Sequence, residues 1–266
     1  MSVEEPLPGG THAPVVRVGD TVRRRPRPAT PAVHALLRHL ERVGFDGAPR
    51  LLGFDEQGRE VLSYIPGAAV GQRGEPYPAF VRDDGTLVEV ARLLRRYHDA
   101  TLGFVPPPDA AWAFQVGAPR EGEVICHNDV GAWNVIFVDG RPRALIDFDT
   151  AAPAPREWDV AYALYRFVPY VPDEICALIG WPTPPDRPAR TRAFCAAYGV
   201  GDASAILDVV IRRIEVMLAT GTALHEAGDP AHDETWTKVM RQRLLRDLAF
   251  VRSQQSARPG IRVPED

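Results

Sequence analysis

Strand-length apolar runs stop at Ile65 and helix-period runs take over beyond Pro78, which restricts the chain to a sheet-bearing lobe followed by a helical one. The early runs lie at residues 15–18, 21–24, 51–54 and 60–65. Between the second and third a helix is expected. Thr30 can cap it, Pro31 suits its first turn, and Val33, Leu36, Leu37 and Leu40 share one face before Gly44. Pro66-Gly67 and the Gly- and Pro-rich segment to Pro78 mark a boundary and a hinge. The expected division is residues 1–66 and residues 67–266.

Beyond the boundary, helices are expected at residues 86–100, 156–167, 173–179, 188–198, 203–227 and 233–252; Ile206, Val210, Ile214, Met217 and Leu218 carry the core period of the longest. Without internal repeats, this order predicts an α+β fold. With 45% hydrophobic residues among 266, the chain can bury a sizeable core. The net charge of -4 and the shortness of the one basic run, Arg23 to Arg27, argue against nucleic acid and anionic membranes as partners. No apolar run is long enough to span a bilayer and the first ten residues lack a signal-peptide pattern, so a cytoplasmic protein is expected. Cys126, Cys176 and Cys195 are odd in number and sit in apolar contexts, which reads as buried thiols rather than disulfides or a zinc site. The Ala, Arg, Pro and Gly bias suggests a bacterial genome rich in G and C.

The chemistry concentrates between His127 and Asp149. The chain has only two Asn residues, Asn128 and Asn134, and both fall in this stretch. Residues 135–138 and 143–146 are apolar around Asp139-Gly140, a hairpin signal. Pro142 is poorly placed inside a ladder, which favours a four-residue loop at 139–142 and sets Asn134 opposite Asp147. An amide oxygen and a carboxylate at one end of a hairpin are the hard donors that suit Mg2+. Asp129, on the loop leading in, can reach the same region. Phosphoryl transfer requires cations to neutralise a triphosphate and a carboxylate to orient the attacking hydroxyl, and these residues match both roles.

His127-Asn128-Asp129 through Asn134, followed by Ile146-Asp147-Phe148-Asp149, resembles the catalytic and metal-binding motifs of the aminoglycoside phosphotransferase and choline kinase-like family, which shares the protein-kinase fold. The resemblance implies a small mixed lobe and a larger helical lobe, ATP or GTP as co-substrate, Asp129 as base, and Asn134 and Asp147 as Mg2+ ligands. It implies a structural role for His127. Asp149 is left between outer support of the metal and a local cap, and Asp159 between a brace of the catalytic loop and a first-turn helix acid. Gly9-Gly10 resembles a reduced phosphate-covering loop, and Ser63, Tyr64 and Ile65 stand by position where the family offers backbone groups to a nucleobase.

The chain departs from the family pattern at its phosphate-binding lysine. Of its 31 basic residues only Lys238 is lysine, so an arginine must stand in for the strand lysine. Arg23 is the first choice and Arg24 the second. The helix that should carry a partner glutamate has Val33 at that position, with Glu41 two turns on; an arginine stays charged without one. Residues 1–66 hold 9 basic and 8 acidic residues against 22 and 27 in the remainder, which would suit a cationic hydroxyl acceptor. His225, Glu226, Asp229, His232 and Asp233 form either acceptor contacts or a solvated loop. The absence of an Ala-Pro-Glu segment after Asp147 argues against a protein acceptor. A small-molecule kinase is the expected function, with an inactive nucleotide-binding relative or a metal-dependent phosphohydrolase as alternatives.

Overall fold

The short branched runs before Ile65 pair into one antiparallel sheet in this computed structural model, which describes residues 3–7, 14–71, 75–114, 122–201, 203, 205–229 and 232–256. Strands β1 (Glu5–Pro6), β2 (Val16–Val18) and β3 (Thr21–Arg24) precede helix α1 (Thr30–Arg42), and β4 (Leu51–Phe54) and β5 (Glu60–Ser63) follow it. The sheet order is β1-β2-β3-β5-β4. The expected face of α1 is the buried one, with Val33, Leu36, Leu37 and Leu40 at most 1% exposed. Its first turn differs from expectation: Ala29 takes the cap position, and Thr30 Oγ1 instead accepts the Arg27 N–H at 2.7 Å.

Helices α2 (Ala79–Arg82) and α3 (Asp84–Ala100) open the second lobe, followed by β6 (Val124–Cys126), the hairpin β7 (Val135–Val138) and β8 (Arg141–Leu145), and β9 (Ala152–Ala154), which pairs with β6. Helices α4 (Arg156–Phe167), α5 (Asp173–Leu178), α6 (Arg187–Tyr198), α7 (Ile206–Glu226) and α8 (Gln242–Ser256) complete the chain. A π-helical turn, Trp236–Arg241, occupies the start of the expected last helix. It lies where the Trp236 indole packs against Gly221, at which a Cβ would come within 2.0 Å of the ring. The hydrophobic core is continuous from Leu36 and Leu62 through Leu94, Tyr97 and Leu145 to Phe194 and Val210. The molecule is a two-lobed α+β fold. Among the described residues no helix is long and apolar enough to cross a membrane.

The hairpin departs from its expected register. The turn is only Asp139 and Gly140, at φ 50 and 75, a mirror-image turn that matches strand twist. Pro142 lies inside β8 opposite Phe137, and the register shifts by one residue between Ile136 and Phe137. This bulge at Arg143 is how a residue without an N–H is tolerated in the ladder. Asn134 therefore stands opposite Ile146, whose N–H donates to the Asn134 carbonyl at 2.9 Å, and not opposite Asp147. The link between the lobes is pinned to the same hairpin, because Ala68 and Phe137 exchange two backbone hydrogen bonds of 2.9 Å.

Candidate active site

A cavity of about 450 Å3 opens between the sheet and the hairpin. Val22, Leu62, Ile65, Ile136 and Ile146 give it apolar walls, while Arg24, Arg27, Asn134 and Asp147 line it with polar groups. Ser63, Tyr64 and Ile65 also line it. The Ser63 and Tyr64 N–H groups are taken by the Arg50 and Asp20 carbonyls; among the described residues the Ile65 N–H has no backbone partner. Gly9 and Gly10 lie outside the described residues.

Asp129 sits on the loop between β6 and β7, and its carboxylate receives three hydrogen bonds. Tyr162 Oη donates to Oδ1 at 2.6 Å, while Asn134 Nδ2 and Trp133 Nε1 donate to Oδ2 at 2.8 and 3.1 Å. Asn134 Nδ2 also donates to the Asp129 carbonyl at 3.0 Å, which leaves the amide's Oδ1 as a hard donor beside Asp147 in the same cavity. The Asp147 side chain is 50% exposed and its backbone is left-handed, φ 61 and ψ 68, which re-aims the carboxylate that the hairpin register alone would not deliver. An amide oxygen beside a carboxylate fits Mg2+.

Of the two candidate arginines, Arg24 is the one that lines the cavity. Its Nε donates to Glu60 Oε1 at 2.7 Å, Nη1 to Asp147 Oδ1 at 2.9 Å and Nη2 to Asp149 Oδ1 at 2.6 Å. Burial works against this charge, but Asp149, Glu60 and Asp147 outweigh it and hold the guanidinium pKa above its ordinary value. Glu60, 1% exposed, is fixed in turn by His34 Nε2 of α1 at 2.8 Å. Glu60, held by His34, is thus a carboxylate partner of Arg24 on the neighbouring strand, and Glu41 plays no part in this network. Arg23 points to the other face, 3.5 Å from Asp55. Asp149 binds Arg24 and Arg27 rather than capping a backbone, and burial, reinforced by Asp147, pushes its carboxyl up although both arginines oppose the shift.

The loop that carries Asp129 is braced from behind. Asp159 of α4, fully buried, accepts the His127 and Asn128 N–H groups at 2.6 and 2.7 Å and the His98 Nε2–H at 3.0 Å. Burial alone would raise its carboxyl, but the hydrogen bonds from His98 and from the His127 backbone hold it below the ordinary range. His127 donates through Nε2 to the Ile146 carbonyl at 2.9 Å and packs 4.7 Å from Phe148, a structural role. His98, Cys126 and Asp159 hold ligand atoms within 4.8 Å of one another, yet the first and last are already spent on these hydrogen bonds. Burial pushes the Cys126 thiol up, against a nucleophilic role.

None of His225, Glu226, Asp229, His232 and Asp233 lines this cavity; His225 Nδ1 bonds the His232 carbonyl, His232 pairs with Asp229, and Asp233 caps the Thr235 N–H. Sequence reasoning missed Glu60, His34 and Tyr162. Alternation in β5 puts Glu60 on the same inward face as Leu62, a signal the sequence did contain.

Residues 109–205 match the sequence profile of the phosphotransferase enzyme family. The trifolitoxin immunity protein of Rhizobium leguminosarum bv. trifolii is 36% identical over 207 residues, which cover 75% of this chain and 76% of that protein. A choline/ethanolamine kinase family protein of Mesorhizobium loti shares the fold with a TM-score of 0.61 at 18% identity, over 95% of this chain and 93% of its own. The GDP complex of an aminoglycoside 2'-phosphotransferase superposes with a TM-score of 0.61 at 17% identity, over 96% and 93%. A streptomycin-ATP ternary complex of a further aminoglycoside phosphotransferase gives 0.57 at 12% identity, over 94% of both chains.

Proposed function

This chain belongs to the phosphotransferase enzyme family, and from that premise we propose that it moves the γ-phosphoryl group of ATP or GTP to a hydroxyl of a small molecule. The observation that carries the reading is the Asp129 carboxylate, held by Tyr162, Trp133 and Asn134, the last two of which line the cavity together with Asp147.

Asp129 orients the acceptor hydroxyl and takes its proton while the oxygen attacks the γ-phosphorus. The bond from that phosphorus to the bridging oxygen breaks, leaving a nucleoside diphosphate and a phosphate ester. A carboxylate oxygen has two acceptor sites, so Oδ1 keeps one for the incoming hydroxyl beside Tyr162. Asn134 and Asp147 would hold Mg2+, which when bound neutralises charge on the β- and γ-phosphates. Arg24 supplies the fixed cation, exchanging part of its contact with Asp147 and Asp149 for phosphate oxygens. The apolar walls and the Ile65 backbone receive the nucleobase. The name of the immunity protein at 36% identity supports a toxin as the acceptor.

Calorimetry with Mg-ATP and Mg-GTP, with and without the metal, tests the nucleotide half. Metal-dependent binding that is lost in Asp147→Ala is expected. Binding indifferent to both metal and Asp147 contradicts the assignment.

A further inference from the structure

Arg166, on α4 one turn beyond Tyr162, is a cation that the phosphoryl-transfer machinery does not use. Its Nη2 donates to Tyr162 Oη at 3.1 Å, and that hydroxyl in turn donates to Asp129. The guanidinium carbon lies 4.3, 5.0 and 5.1 Å from the Tyr165, Tyr162 and Trp133 ring centres, so three rings fix its plane. Its Nε is buried without a hydrogen-bond partner, and among the described residues it pairs with no carboxylate. Nearby Asp247 is already spent on Tyr165, Arg243 and Arg246. The second arginine of this region, Arg213, is 2% exposed and likewise lacks a carboxylate among the described residues; it braces the loop through the Asn128 carbonyl at 2.6 Å.

An immobilised arginine that pairs with no carboxylate among the described residues and is joined to Asp129 through Tyr162 is a recognition group for an oxyanion. Resting on the phosphotransferase reading, we propose that Arg166 selects an acceptor that carries an anionic group, a carboxylate or a sulfate, near the hydroxyl that is phosphorylated. The net charge of residues 67–266 suits a cation, but the charge within reach of the base has the opposite sign.

Hydroxyl compounds offered in matched sets, as carboxylate, neutral alcohol and amine, with Mg-ATP or Mg-GTP, and read by mass for the gain of one phosphoryl group, test the proposal. The carboxylate members are the better acceptors, and Arg166→Gln raises their KM roughly 10- to 100-fold, the loss expected of a charge-assisted hydrogen bond. Arg166→Lys restores part of the affinity, and the affinity for Mg-ATP does not move. Preference for amines or neutral alcohols, or an unchanged carboxylate KM in Arg166→Gln, overturns the proposal. If no compound is phosphorylated, calorimetric titration with sulfate decides: saturable binding that is lost in Arg166→Gln supports it and absence of binding overturns it. Mg-ATP binding in the same samples separates that failure from a failure of the phosphotransferase reading.

Discussion

Arg24 shows how far one guanidinium can reach in a chain whose only lysine is Lys238. A lysine offers one point charge, whereas the guanidinium fork spans Glu60, Asp147 and Asp149 at once. Arg24→Lys is therefore not conservative, and we expect the Kd for Mg-ATP to rise by about tenfold in calorimetry, on the scale of one lost charge-assisted hydrogen bond. Tyr162→Phe removes the 2.6 Å hydrogen bond that aims Asp129. Its kcat should fall roughly 10- to 100-fold with nucleotide affinity unchanged; equal losses in both would show that Tyr162 holds the fold rather than Asp129. That Arg24 rather than Arg23 faces the cavity was within reach of the sequence. Val22 and Arg24 share a face two residues apart, and the apolar partner marks the inward side.

The loop between β6 and β7 works because α4 and the hairpin hold it from both sides. Asp159 satisfies two consecutive backbone N–H groups, one of them at Asn128, whose φ is 68. Removing its charge while leaving its shape, in Asp159→Asn, should cost roughly 3–5 kcal/mol at pH 7, the scale of a broken buried pair. Because its folded-state pKa lies below the ordinary 3.8, this contribution is complete above that value and is lost as pH falls through the folded-state pKa. Urea midpoints of wild type and Asp159→Asn should converge as the pH drops below 3.8, and a gap that widens there would contradict the sign. At the interlobe link, Gly67 has φ 138, and a Cβ there would lie 2.6 Å from both Ile136 Cγ2 and the Phe137 carbonyl. Gly67→Ala should therefore cost about 1–3 kcal/mol in the same assay. The hairpin itself was legible from Asp139-Gly140, but its register was not: a bulge at Arg143 depends on how neighbouring strands absorb Pro142, which no local pattern records.

At the scale of the molecule, the change from strand to helix period foretold the order of the two lobes and the buried face of α1. What it could not show is long-range pairing. Arg24 meets Asp147 and Asp149 across more than a hundred residues of sequence, and Tyr162 meets Asp129 only because α4 packs behind the loop. These contacts tie sheet, hairpin and helix together, so the site is complete only when both lobes are docked. The most direct test of the account is phosphoryl gain, read by mass across a panel of hydroxyl compounds with Mg-ATP or Mg-GTP, for the wild type and Asp129→Asn. Transfer by the wild type, slowed about 10²- to 10⁴-fold in the variant with nucleotide binding intact, is the predicted result. Equal transfer by both proteins, or nucleotide binding by the wild type with no transfer to any compound, would contradict it.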